Sequence, residues 1–553
     1  MKEKLKELVD QALPEIITDL GLSSSLTSLN YDVELPRVKT HGDLSINLAF
    51  QIGRLLKKNP YEIAQKCQSV LNRQIKEPSW IQEITVEKPG FINFRLTERF
   101  YAEILPMIKK EDEKFGKTQT GSGSKVIIEF VSANPTGPLT IAHGRQAAIG
   151  DTLGRILSAV GHKVHKEFYL NDAGRQIRLL GESLWVRYQE LHGIKDVLPE
   201  EGYQGSYLIE LAKRLQKEKK DALIKAGKDK NIEFVTNYAV SHILDGIKED
   251  LKKTGVSFDE YFSESSLTKN NLVHQILELL KKKGLSYESE GALWFRSTDF
   301  GDDKDRVLRK QTGEFTYLTP DIAYHQSKFQ RGFQKLINLW GPDHHGYVPR
   351  LKAACQALGY QADQLKVLIV QLTTLYRKGE PVRMSTRTGE FVTLKELVDE
   401  VGVDATRFFF LMRKIESHLD FDLELAKQKS DENPVFYVQY AHARISSILA
   451  FAQRNIDLNV NLSFIREQEA IDLIKKMAEF PEAVKQAAEI LEPYRIVDYL
   501  RDLASAFHKF YTFHRIVGDD EELTKARLLL TDCTRIVLRN GLALLGVLAP
   551  SKM

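Results

Sequence analysis

The sequence predicts a multidomain protein that combines an α/β domain, built on a parallel sheet, with a helical C-terminal region. Its 553 residues exceed what one hydrophobic core usually supports, which indicates several domains. A strand pattern at 125–131, a helical pattern at 142–160 and a second strand pattern at 163–170 form a βαβ unit, the seed of a doubly wound parallel sheet. After about residue 430 the strand patterns stop and helical patterns continue to the end.

Changes in texture along the chain divide it into four predicted regions. Residues 1–118 mix helical and strand patterns and end in a segment rich in Gly, Ser and Thr, which is typical of a linker. Residues 119–372 contain the βαβ unit and a lysine-rich, mostly helical insertion at about 195–285. Residues 373–430 form a connecting segment with a basic loop, and residues 431–553 form a helical domain.

Composition excludes several classes of protein. A hydrophobic content of 42% and a charged content of 28% describe an ordinary soluble globular chain, and a net charge of +3 does not by itself indicate a nucleic-acid partner. The chain has no apolar run of about 18 residues, so no membrane span is expected, and its start resembles an amphipathic helix more than a signal peptide. Cys67, Cys355 and Cys533 lie far apart, which argues against a disulfide framework and favours the reducing cytoplasm.

The stretch FVSANPTGPLTIAHGRQAAIGDTLGRIL, residues 130–157, places a Pro- and Gly-containing turn between a strand and a helix. At the carboxyl end of a parallel strand, the start of a helix offers unpaired N–H groups and a positive dipole to a phosphate. His143 would add a donor there, Gly144 would let adenine or ribose approach the backbone, and the Asn134 amide could bind a small polar substrate. The alternative is a capped strand-to-helix turn without a ligand, because the stretch is not a P-loop.

A family resemblance decides between these interpretations. Thr140-Ile141-Ala142-His143 resembles the His-Ile-Gly-His signature of class I aminoacyl-tRNA synthetases, and the flanking IEFVSANPTGPL and HGRQAAIGD resemble the arginyl-tRNA synthetase family in particular. The segment 383–387, RMSTR, stands where that family has its mobile Lys-Met-Ser-Lys-Ser loop. The resemblance covers nearly the whole chain apart from about 200–280. It implies a Rossmann-type catalytic domain, an α+β N-terminal tRNA-binding domain and an all-α anticodon-binding domain.

The resemblance also implies an arginine–tRNA ligase that forms arginyl-adenylate and pyrophosphate from arginine and ATP, then transfers arginine to the 3′ end of tRNA. The departing pyrophosphate gathers negative charge, which preorganised donors and cations stabilise. Two departures from the family pattern are Thr140, in place of the first signature histidine, and Thr386, in place of the loop lysine. The residues expected to carry catalysis are Thr140, His143, Arg383, Ser385 and Arg387. Those expected to contact ATP are Pro135, His143, Gly144, Asp343, His344 and Met384.

Recognition of arginine requires planar acceptors, since a guanidinium carries five N–H donors in a fork that carboxylates can bind. By resemblance, Glu129, Tyr317 and Asp321 enclose the guanidinium, while Asn134 and Gln176 lie near the amino-acid end. Lysine would leave buried acceptors unpaired, so strong rejection is expected without an editing domain.

Aromatic residues near both ends of the chain are expected to contact tRNA, because unstacked bases bind to aromatic rings and guanidinium planes. The segment KPGFINF, residues 88–94, could instead be a hairpin whose phenylalanines lie in the core. The stripe formed by Tyr437, Tyr440 and Arg444 could instead be half-buried between helices. The predicted tRNA-binding residues are Phe91, Asn93, Tyr437, Tyr440, Arg444, Phe507, Tyr511 and Met553.

Cofactor and partner expectations follow from the same resemblance. ATP would arrive with Mg²⁺ held mostly by phosphates and water. Asp343, His344 and His345 would line the adenosine side rather than bind zinc, and no resident metal or tightly bound cofactor is expected. The predicted partners are arginine, ATP and the cognate tRNA, with no membrane and a monomeric state. Two alternatives remain, namely another nucleotidyl transferase or synthetase with the same phosphate motifs, and a non-enzymatic RNA-binding paralogue that Thr140 and Thr386 would favour.

Overall fold

The structure, a computed structural model, divides into two compact units. It describes residues 2–22, 29–34, 36, 38–75, 79–382 and 392–553. The first unit consists of residues 1–115, 445–480 and 505–537, and the second consists of residues 116–444, 481–504 and 538–553. None of the helices in the described ranges is long and apolar enough to cross a membrane.

The N-terminal part of the first unit is an α+β domain, as the sequence predicts. Its four-stranded antiparallel sheet has the order β1-β2-β4-β3. Asn59 caps the third helix by accepting a hydrogen bond from the Tyr61 N–H at 3.0 Å. The elements are α1 (Lys2–Asp19), β1 (Val33–Glu34), β2 (Leu44–Ile46), α2 (Leu48–Leu56), α3 (Pro60–Gln74), β3 (Ile81–Glu87), β4 (Phe91–Leu96), α4 (Glu98–Ala102) and α5 (Ile104–Glu111).

The second unit begins with the predicted βαβ unit, formed by β5 (Lys125–Glu129), α6 (Ile141–Ala159) and β6 (Lys163–Leu170). β5 and β6 pair in parallel, with Glu129 opposite Glu167. Gly161 follows α6 with φ +94°, the left-handed conformation that commonly ends a helix.

The segment predicted as a mostly helical insertion is mostly helical, but it also contains a strand of the main sheet. It contains α8 (Ser206–Lys219), α9 (Ala222–Ala226) and α10 (Lys228–Lys253), which follow α7 (Arg175–Glu190). The next element, β7 (Glu260–Ser263), pairs in parallel with β6 and is therefore an edge strand of the main sheet. The pattern misses this strand because four half-buried residues carry no hydrophobic alternation.

In chain order, a small antiparallel sheet follows this edge strand and precedes the last two strands of the main sheet. Its strands have the order β10-β9-β8. The elements are α11 (Ser265–Lys269), α12 (Leu272–Lys282), β8 (Ser286–Ser289), β9 (Ala292–Phe295), β10 (Arg306–Arg309) and α13 (Leu318–Gln330).

The main sheet is completed by β11 (Lys335–Trp340), α14 (Val348–Leu358) and β12 (Leu365–Ile369). It has five strands in the order β12-β11-β5-β6-β7, and all the pairs are parallel. This arrangement confirms the predicted Rossmann-type sheet. Because β5 is the central strand, the segment after Glu129 opens into the crevice where parallel sheets bind ligands.

A connecting region follows the main sheet, and it contains a second three-stranded sheet, in the order β14-β13-β15. Thr393 caps α15 by accepting a hydrogen bond from the Glu396 N–H at 3.1 Å. The elements are β13 (Thr373–Arg377), β14 (Glu380–Pro381), α15 (Leu394–Val401), α16 (Val403–Phe410), β15 (Leu419–Asp422) and α17 (Leu423–Lys427).

The remainder of the chain is all-α, as predicted. Pro434 is the first helical residue of its helix, and Asn433 caps it by accepting a hydrogen bond from the Val435 N–H at 3.2 Å. The helices are α18 (Pro434–Ala452), α19 (Gln468–Ala478), α20 (Phe480–Ile490), α21 (Tyr494–Phe513) and α22 (Glu521–Leu545).

Candidate active site

The start of α6 holds His143 in one orientation. The Thr140 N–H donates to His143 Nδ1 at 3.1 Å, and the Thr140 hydroxyl lies 3.1 Å from the same nitrogen. Because Nδ1 accepts the backbone hydrogen bond, the proton of the neutral ring lies on Nε2. Burial lowers the pKa of His143 to about 4, so the ring is neutral near pH 7. The helix tip therefore presents an oriented, neutral N–H donor.

Gly144 allows two helices to pack against this tip. A Cβ atom at Gly144 would lie 2.6 Å from Leu394 Cδ1 and 3.1 Å from Phe410 Cε2. The Leu394 N–H donates to the Leu139 carbonyl at 2.8 Å, and Thr393 forms a β-bridge with Thr140. These contacts give Gly144 a packing role, and its contact with ATP stays a prediction.

The same contacts place the described end of the basic loop beside the helix tip. The predicted loop residues Arg383, Met384, Ser385 and Arg387 lie outside the described residues. The described chain resumes at Val392, immediately before Thr393, which is bridged to Thr140.

Between Glu129 and Asn134 the backbone adopts an uncommon conformation. Val131 has φ +67° and Ser132 has φ +41°, values in the left-handed region that a β-branched residue rarely occupies. Such residues cost about 1–3 kcal/mol each and occur preferentially at functional sites. The Ser132 hydroxyl donates to Glu129 Oε1 at 3.3 Å and accepts from the Tyr169 N–H at 3.1 Å, so it ties the turn to both strands.

Glu129, the last residue of β5, is buried and ion-paired. Its side chain accepts a hydrogen bond from Lys328 Nζ at 2.6 Å on Oε2, and Lys328 is fully buried. Sequence reasoning missed Lys328, which is 199 positions away in the chain. A lysine in a helix gives no sequence signal of burial, because most lysines are exposed.

Asp321 lies in the first turn of α13, close to Glu129. The pKa of Asp321 is raised to about 7, chiefly by burial and also by the negative charges of Glu129 and Glu264, against the lowering effects of a hydrogen bond from Tyr347 and the positive charge of Lys328. That bond runs from the Tyr347 hydroxyl to Asp321 Oδ2 at 2.6 Å. Tyr347 was not predicted. Tyr317, which was predicted, precedes the first residue of α13 and is 83% exposed.

The other predicted arginine-binding residues also lie together. The Asn134 amide donates to Gln176 Oε1 at 2.6 Å, and both side chains are exposed. Pro135, beside them, is buried in the turn. Two amides at the mouth of the crevice can reorient to bind a carboxylate or an ammonium group.

Asp343, His344 and His345 form an exposed 3₁₀ turn just after β11, where the His344 ring lies 5.7 Å from that of Trp340. Within the described residues, the one group with a spacing suited to a metal is elsewhere, at His165, Glu167 and Glu260. Arg331 pairs with both of these glutamates, at 2.5 and 2.8 Å, so the group is an ion-pair network.

In the N-terminal domain, Phe91 is 37% exposed and packs edge-on against Phe50, with 4.9 Å between ring centroids. Asn93 lies in the same strand but is only 2% exposed. Its position between β2 and β3 explains the burial, since it pairs with Ser45 and Thr85. A base contact by Phe91 and Asn93 stays a prediction.

Among the helical candidates, Arg444 donates to the Tyr440 hydroxyl at 2.6 Å, and its guanidinium lies 4.5 Å from that ring. Tyr437 is half-buried. Phe507 is fully buried and stacks on the partly exposed Tyr511, with centroids 6.0 Å apart. The terminal Met553 is exposed.

Comparison with protein families covers all of these regions. The arginyl tRNA synthetase N terminal domain matches residues 3–96, and the catalytic domain of class I tRNA synthetases (R) matches residues 104–418. The DALR anticodon binding domain matches residues 438–553. The chain belongs to the arginyl-tRNA synthetase family.

Relatives of this arginyl-tRNA synthetase family member match it from end to end. The arginine–tRNA ligase 1 of Halalkalibacterium halodurans is 46% identical over 555 residues, covering 100% of the chain and 99% of the relative. The Bacillus subtilis arginine–tRNA ligase is 44% identical with the same coverage. The chain is thus a class I aminoacyl-tRNA synthetase that ligates arginine to tRNA with ATP.

Solved structures show the same fold. A Campylobacter jejuni structure, described as an arginyl tRNA synthetase, has a TM-score of 0.77 and 36% identity, covering 83% of this chain and all of that one. The Thermus thermophilus arginyl-tRNA synthetase has a TM-score of 0.77 over 100% of both chains. At 23% identity, this match shows a similarity of fold alone.

Proposed function

We propose that the crevice at the end of β5 performs both steps of arginine–tRNA ligation, with the guanidinium bound between Glu129 and Asp321. The observation that carries this proposal is the proximity of the two acidic side chains, which is close enough for the charge of Glu129 to raise the pKa of Asp321. Two neighbouring buried carboxylates suit a cationic substrate that can donate to both.

ATP binds with its phosphates at the start of α6. The neutral His143 donates through Nε2–H, while Thr140 fixes the ring, so the donor is preorganised for charge that develops on the phosphates. The loop residues Arg383, Ser385 and Arg387 stabilise the departing pyrophosphate. The accompanying ligands to ATP are Pro135, Gly144, Asp343, His344 and Met384, with a Mg²⁺ ion held mostly by phosphate and water.

Arginine lies across the end of β5. Asn134 and Gln176 hold its amino-acid end next to the α-phosphate, and Tyr317 covers the guanidinium side. The exposed position of Tyr317 supports a role at the mouth of the crevice rather than inside it. The arginine carboxylate then attacks the α-phosphate of ATP and pyrophosphate leaves.

Cognate tRNA binds through the N-terminal domain, predicted to span residues 1–118, and through the helical domain, predicted to span residues 431–553. Between these two domains in the chain, the catalytic domain at 119–372 and the loop segment at 373–430 perform the chemical steps. Exposed or partly exposed aromatic surface at Phe91 and Tyr511 supports stacking with bases. We propose further that the enzyme acts as a cytoplasmic monomer.

The test compares arginine, lysine and citrulline as substrates in aminoacylation, with and without tRNA. Of the three amino acids, we expect only arginine to give aminoacylated product. We also expect the KM for arginine to rise strongly in Glu129→Gln and in Asp321→Asn. Replacing the exposed Glu290 by Gln serves as the matched control for a lost carboxylate. An arginine KM unchanged by both crevice substitutions would remove the proposed assignment of the acceptors.

A further inference from the structure

A chain of buried side chains runs from the carboxylate of Glu129 to the backbone carbonyl of Asp321. Lys328 Nζ donates to Glu129 Oε2 at 2.6 Å and to Asn338 Oδ1 at 3.3 Å. The Asn338 amide N–H group lies 2.8 Å from His325 Nε2, and His325 Nδ1 lies 2.8 Å from the backbone carbonyl of Asp321. Lys328, Asn338 and His325 are all buried.

The direction of each hydrogen bond in this chain follows from the groups involved. The Asn338 oxygen accepts from Lys328, so its NH₂ group must donate to His325 Nε2, which leaves the His325 proton on Nδ1 to donate to the Asp321 carbonyl. Burial, with the positive charge of Lys328, lowers the pKa of His325 to about 3, which keeps the ring neutral and able to accept at Nε2. The chain is therefore satisfied at every link.

We infer that Lys328 is a positioning residue for arginine, which fixes the separation of Glu129 and Asp321 so that each presents one oxygen to the guanidinium. The inference rests on the proposed function, in which these two carboxylates are the acceptors. Lys328 donates to Glu129 Oε2 and Tyr347 donates to Asp321 Oδ2. Glu129 Oε1 accepts one long hydrogen bond, from the Ser132 hydroxyl at 3.3 Å, and keeps a second lone pair. We assign this lone pair and Asp321 Oδ1 to the substrate.

The charge of Lys328 has a second effect on the pocket. Two neighbouring buried carboxylates repel each other, and an internal cation relieves this repulsion. The positive charge of Lys328 acts to lower the pKa of Asp321, against burial and the charges of Glu129 and Glu264. Glu129 is ion-paired with Lys328, so the positive charge of the arginine guanidinium is available to offset the charge of Asp321.

The test is Lys328→Met, measured in full-length enzyme with tRNA at varied arginine and ATP. We expect the arginine KM to rise about 10- to 100-fold, the loss of one hydrogen bond to a charged group, with the ATP KM and kcat changed far less. Lys166→Met is the control, because Lys166 is a largely buried lysine of the same unit that, like Lys328, pairs with a buried carboxylate, in this case Asp151 at 3.0 Å. Its arginine KM should stay at the wild-type value.

A pH profile separates positioning from general stability. The groups that face Asp321 are Glu129 on β5, Tyr169 on β6, Glu264 after β7, Lys328 on α13, and Tyr347. Removing the one cation among them should shift the acid limb of kcat/KM for arginine to higher pH. A variant that was merely less stable would lose activity at every pH without moving this limb.

The double variant Glu129→Gln with Lys328→Met removes both members of the ion pair, so neither charge is left buried without the other, and the test stays available if Lys328→Met alone does not fold. If Lys328 acts through Glu129, the double variant has the same arginine KM as Glu129→Gln. An arginine KM for Lys328→Met equal to wild type, while Glu129→Gln raises it, would overturn the inference and leave the proposed function intact. If Glu129→Gln and Asp321→Asn have no effect, the proposed acceptors are wrong and the inference falls with them.

Discussion

Burial shifts the pKa values of two residues, a histidine and an aspartate, in opposite directions. It lowers the pKa of His143 to about 4 and raises that of Asp321 to about 7. Both shifts favour the neutral form, as desolvation requires. For His143 the neutral form is the useful one, since Nε2–H is then an oriented donor. For Asp321 the charged form is needed to bind a cation.

Affinity for arginine should therefore depend on pH near neutrality. As pH falls through about 7, Asp321 gains a proton, and the protonated acid binds the guanidinium less well, so the KM for arginine should rise. Steady-state aminoacylation at varied arginine, at pH values on both sides of the raised pKa, measures this. The control is Asp321→Asn, which should have a high and nearly pH-independent KM. A flat wild-type profile would contradict the assigned role.

Removal of the imidazole at the helix tip should reduce the rate rather than binding of arginine. For His143→Ala we expect kcat to fall by about 10²- to 10³-fold, the effect of losing one preorganised donor, with little change in arginine KM. Replacing His274, an exposed histidine on α12, by Ala should leave kcat unchanged. The assay is single-turnover aminoacylation, and retention of kcat within a few-fold in His143→Ala would exclude the donor role.

The sequence singled out the residues proposed to contact substrate, but not the residues that support them. Glu129, Asp321 and His143 belong to short motifs that can be read directly from the sequence. Lys328 and Tyr347 contact them only after folding, and neither side chain has a local pattern that signals its burial. Supporting contacts between distant segments are thus the part of a site that a single sequence hides.

At the scale of elements, α6 organises the catalytic region. Its first turn carries His143, and its next residues bind other segments: Arg145 donates to the Gln371 carbonyl at 2.8 Å and to the Lys414 carbonyl at 3.1 Å. Glycines let the helix lie close to its neighbours. The position of this helix relative to β5 therefore sets the distance between His143 and the two carboxylates.

Two glycines of α6 should respond in opposite ways to a methyl group. A Cβ atom at Gly150 would fall within the buried ring of Phe130, whereas one at Gly154 would lie 3.3 Å from the flexible side chain of Lys166. Gly150→Ala should therefore destabilise the enzyme by about 1–3 kcal/mol or more through overpacking. Gly154→Ala, the matched control, should be neutral or stabilise by up to about 1 kcal/mol. Thermal unfolding of both variants decides this, and equal midpoints would refute the packing argument.

Long elements with strong patterns were predictable, and short ones were not. The boundaries of α6 and β6 follow from periodicity and from the glycine after the helix. β7 was missed because its membership of the sheet comes from pairing with β6 and not from its own four residues. The predicted insertion at 195–285 consequently extended too far, across a strand that belongs to the sheet.

At the scale of the whole molecule, the second compact unit is assembled from segments far apart in the chain. Asp151 of α6 is fully buried and binds Arg407 Nη2 at 2.7 Å, Arg155 Nε at 2.8 Å and Lys166 Nζ at 3.0 Å. Arg407 also donates to the carbonyls of Leu545, at the end of α22, and of Thr254, after α10. One buried ionic cluster thus joins α6, β6, α16 and the C-terminal segment 538–553.

Replacing Asp151 by Asn should destabilise the second unit strongly, because Arg407 would keep its buried charge without its carboxylate. Removing one partner of such a buried pair costs about 3–5 kcal/mol. The matched control is Asp399→Asn, which removes an exposed ion pair with Lys395 and should leave stability nearly unchanged, because solvent screens that pair. Burial alone would raise the pKa of Asp151, but Arg407, Arg155 and Lys166 hold it below the ordinary value of 3.8. Its stabilising contribution is therefore complete above that value and is lost as pH falls through the lower, folded-state pKa. Urea unfolding at several pH values measures both effects. The free energy of unfolding of the wild type should fall in acid more steeply than that of Asp151→Asn. Parallel pH profiles of the two proteins would show that the cluster does not hold the segments together.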